Sequence, residues 1–170
     1  MQLGSPANPG LAIAAPAGFC AARGALSQMG QSDFVAFVAC GPGAAAAVLT
    51  ATLGPPGSAE GADLTATAVA AFATSEAGRA AISRVGRARS VTVHEVGPGE
   101  NTVLVRLTDQ SPRPPGLGPG QSWRAIFAAG DRLVTLSATG AGASPLPEAE
   151  GRRLIGAFVR SFRAGNRPGA

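Results

Sequence analysis

Alternating apolar and polar residues predict four strands in the second half of the chain. SVTVHEV (90–96) and NTVLVRLTD (101–109) are joined by GPGE, and SWRAIFA (122–128) is joined to RLVTLSAT (132–139) through an Ala-Gly-Asp turn. Residues two apart lie on the same face of a strand, and Gly and Asn in the connections suit tight hairpin turns. We therefore predict two successive antiparallel hairpins.

The first half of the chain predicts three strands followed by helix. LAIAAP opens a strand within 11–20, and DFVAFVAC (33–40) and AAVLTATL (46–53) predict two more. Between them, AARGALSQMGQS (21–32) predicts a short, weakly helical connection. From Leu64 to Val85 the apolar spacing becomes helical, and Thr74 or Ser75 can cap a second short helix.

The chain closes with one amphipathic helix. Pro147 suits its first turn, and acidic residues near its start and arginines near its end complement the helix dipole. Its apolar stripe, which must pack on the sheet, consists of Leu154, Ile155, Phe158, Val159 and Phe162. The segment QSPRPPGLGPG (110–120), between the hairpins, is rich in Pro and Gly and predicts a surface loop.

This order of elements predicts a single α+β domain with a central antiparallel sheet flanked by helices in a layered sandwich. We expect the domain to span 11–164, after a flexible lead at 1–10 and before a tail at 165–170.

Composition excludes several classes of enzyme. All 14 basic residues are arginine, so a phosphate-binding P-loop, a Schiff-base enzyme and a protein kinase each lack an essential lysine. His94 is the single histidine, which excludes multi-histidine metal centres. No apolar run approaches the roughly 18 residues of a membrane-spanning helix. The ten acidic residues mostly fall at turns and helix starts, where they cap or face solvent. We therefore expect a protein without catalytic residues, metal or cofactor.

Cys20 and Cys40 allow two interpretations. Their spacing matches neither a zinc site nor a C-x-x-C redox motif, which leaves a disulfide or two buried thiols. Both cysteines fall at the ends of predicted strands, and we favour the disulfide. A disulfide persists in oxidising compartments, so we expect a periplasmic or otherwise exported protein whose signal peptide was removed upstream of Met1.

Arginine is unevenly distributed, and nine of the fourteen fall in two windows. The first contains Arg79, Arg84, Arg87 and Arg89, and the second contains Arg152, Arg153, Arg160, Arg163 and Arg167. These arginines can simply form a solvated face in a protein that uses arginine in place of lysine. As a binding surface they suit an acidic protein or an anionic membrane-protein surface, because guanidinium groups pair with carboxylates in bidentate geometry. Nucleic acid is disfavoured because the few aromatic residues occupy core-like positions. The candidate partner-binding residues are Arg79, Arg84, Arg87 and Arg89, with Arg113 of the Pro-rich loop and Trp123.

Three segments resemble the PsbP-like fold: the opening IAAPAGF, the pair SWRAIFAAGDRLVTLSAT, and the closing IGAFVRSF. This fold is shared by the photosystem II extrinsic protein PsbP, a Ran-binding nuclear import factor and several exported bacterial lipoproteins. The resemblance implies an antiparallel sheet flanked by helices and a mainly non-enzymatic role, and no catalytic residues transfer with it.

These observations predict a non-enzymatic accessory or assembly subunit that binds an envelope or membrane-protein complex through its arginines. One alternative is a small-ligand or lipid binder with a pocket between the sheet and the last helix, lined by Phe158, Phe162 and Trp123. A second alternative is an enzyme in which His94 lies in a cleft beside a carboxylate.

Overall fold

A computed structural model describes residues 2–4, 11–29 and 31–166 of the chain. In that part of the chain it contains nine strands, three α-helices and one 3-10 turn at Ala88–Ser90. The strands are β1 (Gln2–Gly4), β2 (Ala12–Ala14), β3 (Phe19–Met29), β4 (Ser32–Ala39), β5 (Ala47–Leu53), β6 (Val91–Gly99), β7 (Thr102–Asp109), β8 (Leu117–Ala129) and β9 (Arg132–Ala141). The helices are α1 (Ala66–Thr74), α2 (Glu76–Ile82) and α3 (Glu148–Ala164).

Seven strands form one antiparallel sheet in the order β3-β4-β5-β9-β8-β7-β6, which confirms the predicted α+β class. Both predicted hairpins are present as β6–β7 and β8–β9. The two halves of the chain meet where β5 pairs with β9, with Leu49 opposite Ala138.

Helices cover both faces of this sheet. The apolar stripe of α3 is buried against one face, where Phe158 packs edge-on against Phe37 and Phe162 against Phe127, with ring centroids 5.8 Å and 5.4 Å apart. On the opposite face, Val69 of α1 packs with alternate residues of β7 in a second, smaller cluster. The two helical layers are therefore separated by the sheet.

The prediction of a helical connection at 21–32 was wrong, because most of this segment belongs to β3. β3 pairs with β4 on both sides of an irregularity between Ala21 and Leu26, and Gly24 within it has a φ of 66°. A glycine tolerates this backbone conformation, and the bulge lets pairing resume beyond it. The ladder with β4 outweighs a weak local preference for helix.

The predicted loop at 110–120 is shorter than expected, because β8 begins at Leu117. Leu117 pairs with Ala141, and the register then shifts before Ser122. A Cβ on Gly118 would lie 2.5 Å from the carbonyl oxygen of Ser144, so glycine is what allows this strand to approach so closely.

Cys20 and Cys40 form the disulfide that we favoured, with Cα atoms 5.8 Å apart. It joins the start of β3 to the residue after β4. None of the described helices is both long and apolar enough to cross a membrane.

The first two strands and the residues after α3 contain further contacts. β1 pairs with β2, and the side chain of Asn166 bonds the backbone N–H and carbonyl of Ala12 at 2.8 Å and 2.7 Å. The remainder of the predicted lead and tail, residues 1, 5–10 and 167–170, lies outside the described residues.

Candidate binding surface

A buried polar cluster joins the end of α2 to the end of β7. The hydroxyl of Ser111 donates to Asp109 at 2.6 Å and lies 3.0 Å from the hydroxyl of Ser90. The hydroxyl of Ser83 lies 2.9 Å from that of Ser90 and 3.2 Å from that of Ser111. This network fixes the segment that follows α2 against the start of the Pro-rich loop.

Arg84 belongs to this cluster. Its backbone N–H donates to Asp109 Oδ2 at 2.8 Å, and its guanidinium donates to the carbonyls of Asp109 and Ser111 at 2.8 Å each. The guanidinium also forms an ion pair with Asp109 at 3.5 Å. The guanidinium of Arg84 is thus held by internal partners, and its side chain is 26% exposed.

The charge of Asp109 is stabilised by the same contacts. Burial of its side chain, which is 1% exposed, opposes ionisation. The N–H of Arg84 and the N–H and hydroxyl of Ser111 outweigh burial and lower the pKa of Asp109 from 3.8 to about 2. Asp109 is therefore a buried anion that is paired within the fold and does not face solvent.

Arg87 and Arg89 lie beside a cavity of about 300 Å³. The cavity is lined by Val85, Arg87, Arg89, Ser90, Gln110, Ser111 and Pro112. Arg113 follows Pro112 in the chain and is exposed. The fold thus brings the first arginine window to the beginning of the Pro-rich loop, two segments that are about twenty residues apart in sequence.

We call Arg87, Arg89, Arg113 and the cavity beside them the arginine surface. The three guanidinium groups form no hydrogen bond or ion pair with any residue that the structure describes. Val85, at the cavity wall, is 46% exposed. The surface therefore offers unpaired positive charge next to exposed apolar groups.

Two other predicted contacts lie elsewhere. Arg79 donates to the carbonyl of Thr74, within the connection between α1 and α2. Trp123 is 2% exposed and lies on the α3 side of the sheet, with the guanidinium groups of Arg106 and Arg152 at 5.9 Å and 5.7 Å from its ring centroid. Trp123 is a core residue and cannot contact a partner in this conformation.

The second arginine window lies on α3, across the sheet from the first. Arg152 pairs with Glu95 at 3.4 Å, and Arg153 pairs with Glu150 one turn away. Arg163 donates to the carbonyls of Glu100 and Asn101, the latter at 2.8 Å. Arg160 is exposed and has no such partner among the described residues, and Arg167 lies outside them. The two windows therefore do not form one surface, and most of the second is used in internal contacts.

The geometry required for catalysis by His94 is not seen in the described part of the chain. His94 Nε2 lies 2.9 Å from Thr108 Oγ1, and no carboxylate there hydrogen-bonds to the ring. The described residues also contain no group of three or more His, Cys, Asp or Glu side chains arranged to hold a metal ion.

A second cavity, of about 290 Å³, lies beside the start of α1. Its apolar lining includes Leu64, Val103 and Ile126. The pocket expected between the sheet and α3 would have been lined by Phe158, Phe162 and Trp123, but these side chains are buried in the core. The second cavity thus lies on the opposite face of the sheet from the pocket that was predicted next to α3.

The sequence predicted Arg87, Arg89 and Arg113 as candidate partner-binding residues, but it did not reveal the polar residues that position them. Ser111 follows Asp109 by two residues, and its N–H donates a hydrogen bond to Asp109 Oδ1 at 2.9 Å. This two-residue separation is typical of Asx turns. That signal was available in the sequence. The approach of Ser83 and Ser90 to the same site depends on tertiary structure and had no local signal.

Comparison with known family models, curated proteins and solved structures found no match to this chain.

Proposed function

We propose that this protein is a non-enzymatic accessory or assembly subunit that docks onto an acidic surface of an envelope complex through its arginine surface. The observation that carries the proposal is that Arg87 and Arg89, whose guanidinium groups have no partner among the described residues, line one cavity together with the start of the Pro-rich loop, in which exposed Arg113 comes next. We also propose that the domain is PsbP-like, consistent with its antiparallel sheet and flanking helices.

The charge distribution supports an acidic partner. Asp109, which hydrogen-bonds to Ser111 of the cavity lining, is buried and paired with Arg84, so it neutralises the three exposed arginines only weakly. Each exposed ion pair with a partner contributes about 0–1 kcal/mol, so affinity requires several such pairs together with apolar contact. Complementary charge would also accelerate association and select against basic partners.

The disulfide supports an exported location. Disulfides are rare in the reducing cytosol and persist in the periplasm and outside the cell. An intramolecular bridge between Cys20 and Cys40 is consistent with folding in such a compartment.

Charge reversal tests the proposal. We expect the double variant Arg87→Glu/Arg89→Glu to reduce retention of the native partner by about tenfold or more, because two attractive contacts become repulsive and 1.4 kcal/mol corresponds to a factor of ten. The measurement is affinity purification from the source organism with quantitative mass spectrometry.

Arg160→Glu is the matched control, because Arg160 is exposed, has no ion-pair partner among the described residues, and lies on α3. Each Arg→Glu substitution changes the net charge by the same amount, at Arg160 as at Arg87 or Arg89. Arg160→Glu should leave retention of the partner unchanged. Equal retention by wild type and the double variant would contradict the proposed surface.

A further inference from the structure

The cavity of the arginine surface offers mainly side-chain donors. The backbone N–H groups of several lining residues already have acceptors inside the protein. Val85 N–H bonds Ser83 Oγ, Ser90 N–H bonds the carbonyl of Arg87, and Gln110 N–H bonds the carbonyl of Ser90. The N–H of Ser111 is held by Asp109, and Pro112 has none. The side-chain donors without a partner among the described residues are the guanidinium groups and the Gln110 amide.

This donor set favours a carboxylate over a phosphate group. Phosphate-binding loops rely on several convergent backbone N–H groups, which this cavity lacks at the residues named above. A guanidinium group matches the two oxygens of a carboxylate with two parallel hydrogen bonds. The carboxylate of Asp109, which hydrogen-bonds to Ser111 of the cavity lining, does not prevent this, because it is paired with Arg84.

The walls of the cavity also offer apolar contact to a residue beside the carboxylate. Val85 is 46% exposed, and Pro112 is exposed on the opposite segment. A volume of about 300 Å³ is at the lower end of the range for ligand pockets, which is roughly 300–1,000 Å³. It accommodates one acidic side chain and part of an adjacent aliphatic one.

We propose that this cavity receives an aspartate or glutamate side chain from an extended peptide segment of the partner. Arg87 and Arg89 bind the carboxylate, Gln110 donates a further hydrogen bond, and Val85 and Pro112 contact the aliphatic residue next to it. This inference rests on the proposed function and specifies the chemistry that the arginine surface recognises.

A titration followed by two-dimensional ¹⁵N–¹H NMR tests the inference. The probe is a capped hexapeptide in which glutamate and leucine alternate, and the control peptide carries glutamine in place of glutamate. We expect saturable shift changes that centre on residues 85–90 and 110–113, with at least tenfold weaker binding of the glutamine peptide. Shift changes centred elsewhere, or equal binding of both peptides, would overturn the inference.

Two further probes distinguish other sources of negative charge. Inorganic phosphate and vesicles containing phosphatidylglycerol should shift the same resonances only at higher concentrations than the glutamate peptide, on a per-anion basis. Tighter binding of either probe would indicate that the ligand of the cavity is a phosphate or a lipid headgroup and not a peptide carboxylate. That result would overturn the inference.

Variants of the cavity wall separate this inference from the proposed function. Val85→Ser should weaken binding of the glutamate peptide about threefold, through loss of apolar contact, while Arg160→Glu should leave it unchanged. Thermal unfolding of each variant checks that the fold is intact. If partner retention depends on Arg87 and Arg89 but is insensitive to Val85→Ser and Gln110→Ala, the arginine surface binds the partner outside the cavity. The inference then fails, and the proposed function stands.

Discussion

Replacing Asp109 with asparagine should lower the free energy of unfolding by about 2 kcal/mol at pH 7. The difference between the ordinary pKa of 3.8 and the pKa of about 2 in the folded protein corresponds to that stabilisation of the charged form. Asp109→Ala should cost more, about 3 kcal/mol, because it also leaves the N–H groups of Arg84 and Ser111 without an acceptor in a buried site.

The pH dependence provides a separate check on the same residue. Because folding lowers the pKa of Asp109, its stabilising contribution is fully present above about pH 4 and is lost as the pH falls towards 2. The Asn variant should therefore differ most from wild type at neutral pH and approach it at pH 2–3. Urea unfolding can be followed by the fluorescence of Trp123, the single and buried tryptophan.

Glu150→Gln is the control for this series. The pKa of Glu150 is lowered by hydrogen bonding to Arg153, but the pair lies at the surface of α3, where water screens it. This variant should change stability and its pH dependence only slightly. A pH profile for Asp109→Asn that parallels wild type down to pH 2 would show that Asp109 is not the paired anion described here.

Removing the disulfide should have the second large effect on stability. The bridge between Cys20 and Cys40 closes a loop with a sequence separation of 20, and the chain-entropy model assigns about 3 kcal/mol to a loop of this size. The double variant Cys20→Ser/Cys40→Ser should lose this amount in urea unfolding at pH 7. Reduction of wild type should have a comparable effect.

Two controls accompany the disulfide experiment. A reducing agent should leave the stability of the double serine variant unchanged, since that variant has no cysteine to reduce. Intact mass should show no alkylation of wild type without reduction and two alkyl groups after it. Two thiols that alkylate freely in protein prepared under oxidising conditions would contradict the bridge.

Sequence patterns predicted most of the fold because the hydrophobic periodicity of each strand or helix is contained in its own residues. The alternation in β6 to β9 and the apolar stripe of α3 from Leu154 to Phe162 each follow from the side-chain period of their element. β3 was missed because its alternation is weak and it is interrupted by a bulge at Gly24. Its strand conformation depends on pairing with β4, the next strand in the chain, and the propensity of the β3 residues alone does not report this pairing.

The candidate site could be predicted only in part. The clustering of Arg87 and Arg89 is visible in the sequence, but the burial of Trp123 and the pairing of Arg84 are consequences of tertiary packing. The sequence also left open whether the two arginine windows share a face. α3 and the segment after α2 pack on opposite faces of the sheet, so the two arginine windows do not share a face.

Site-specific photo-crosslinking in the source organism tests whether the arginine surface contacts an acidic partner. A photoreactive benzoylphenylalanine would replace Arg113 in one variant, next to the cavity, and Arg160 in another, on α3 across the sheet. We expect an ultraviolet-dependent adduct with an acidic partner from position 113, its loss when Arg87→Glu/Arg89→Glu is added, and none from position 160. An adduct from position 160 and none from position 113 would contradict this expectation.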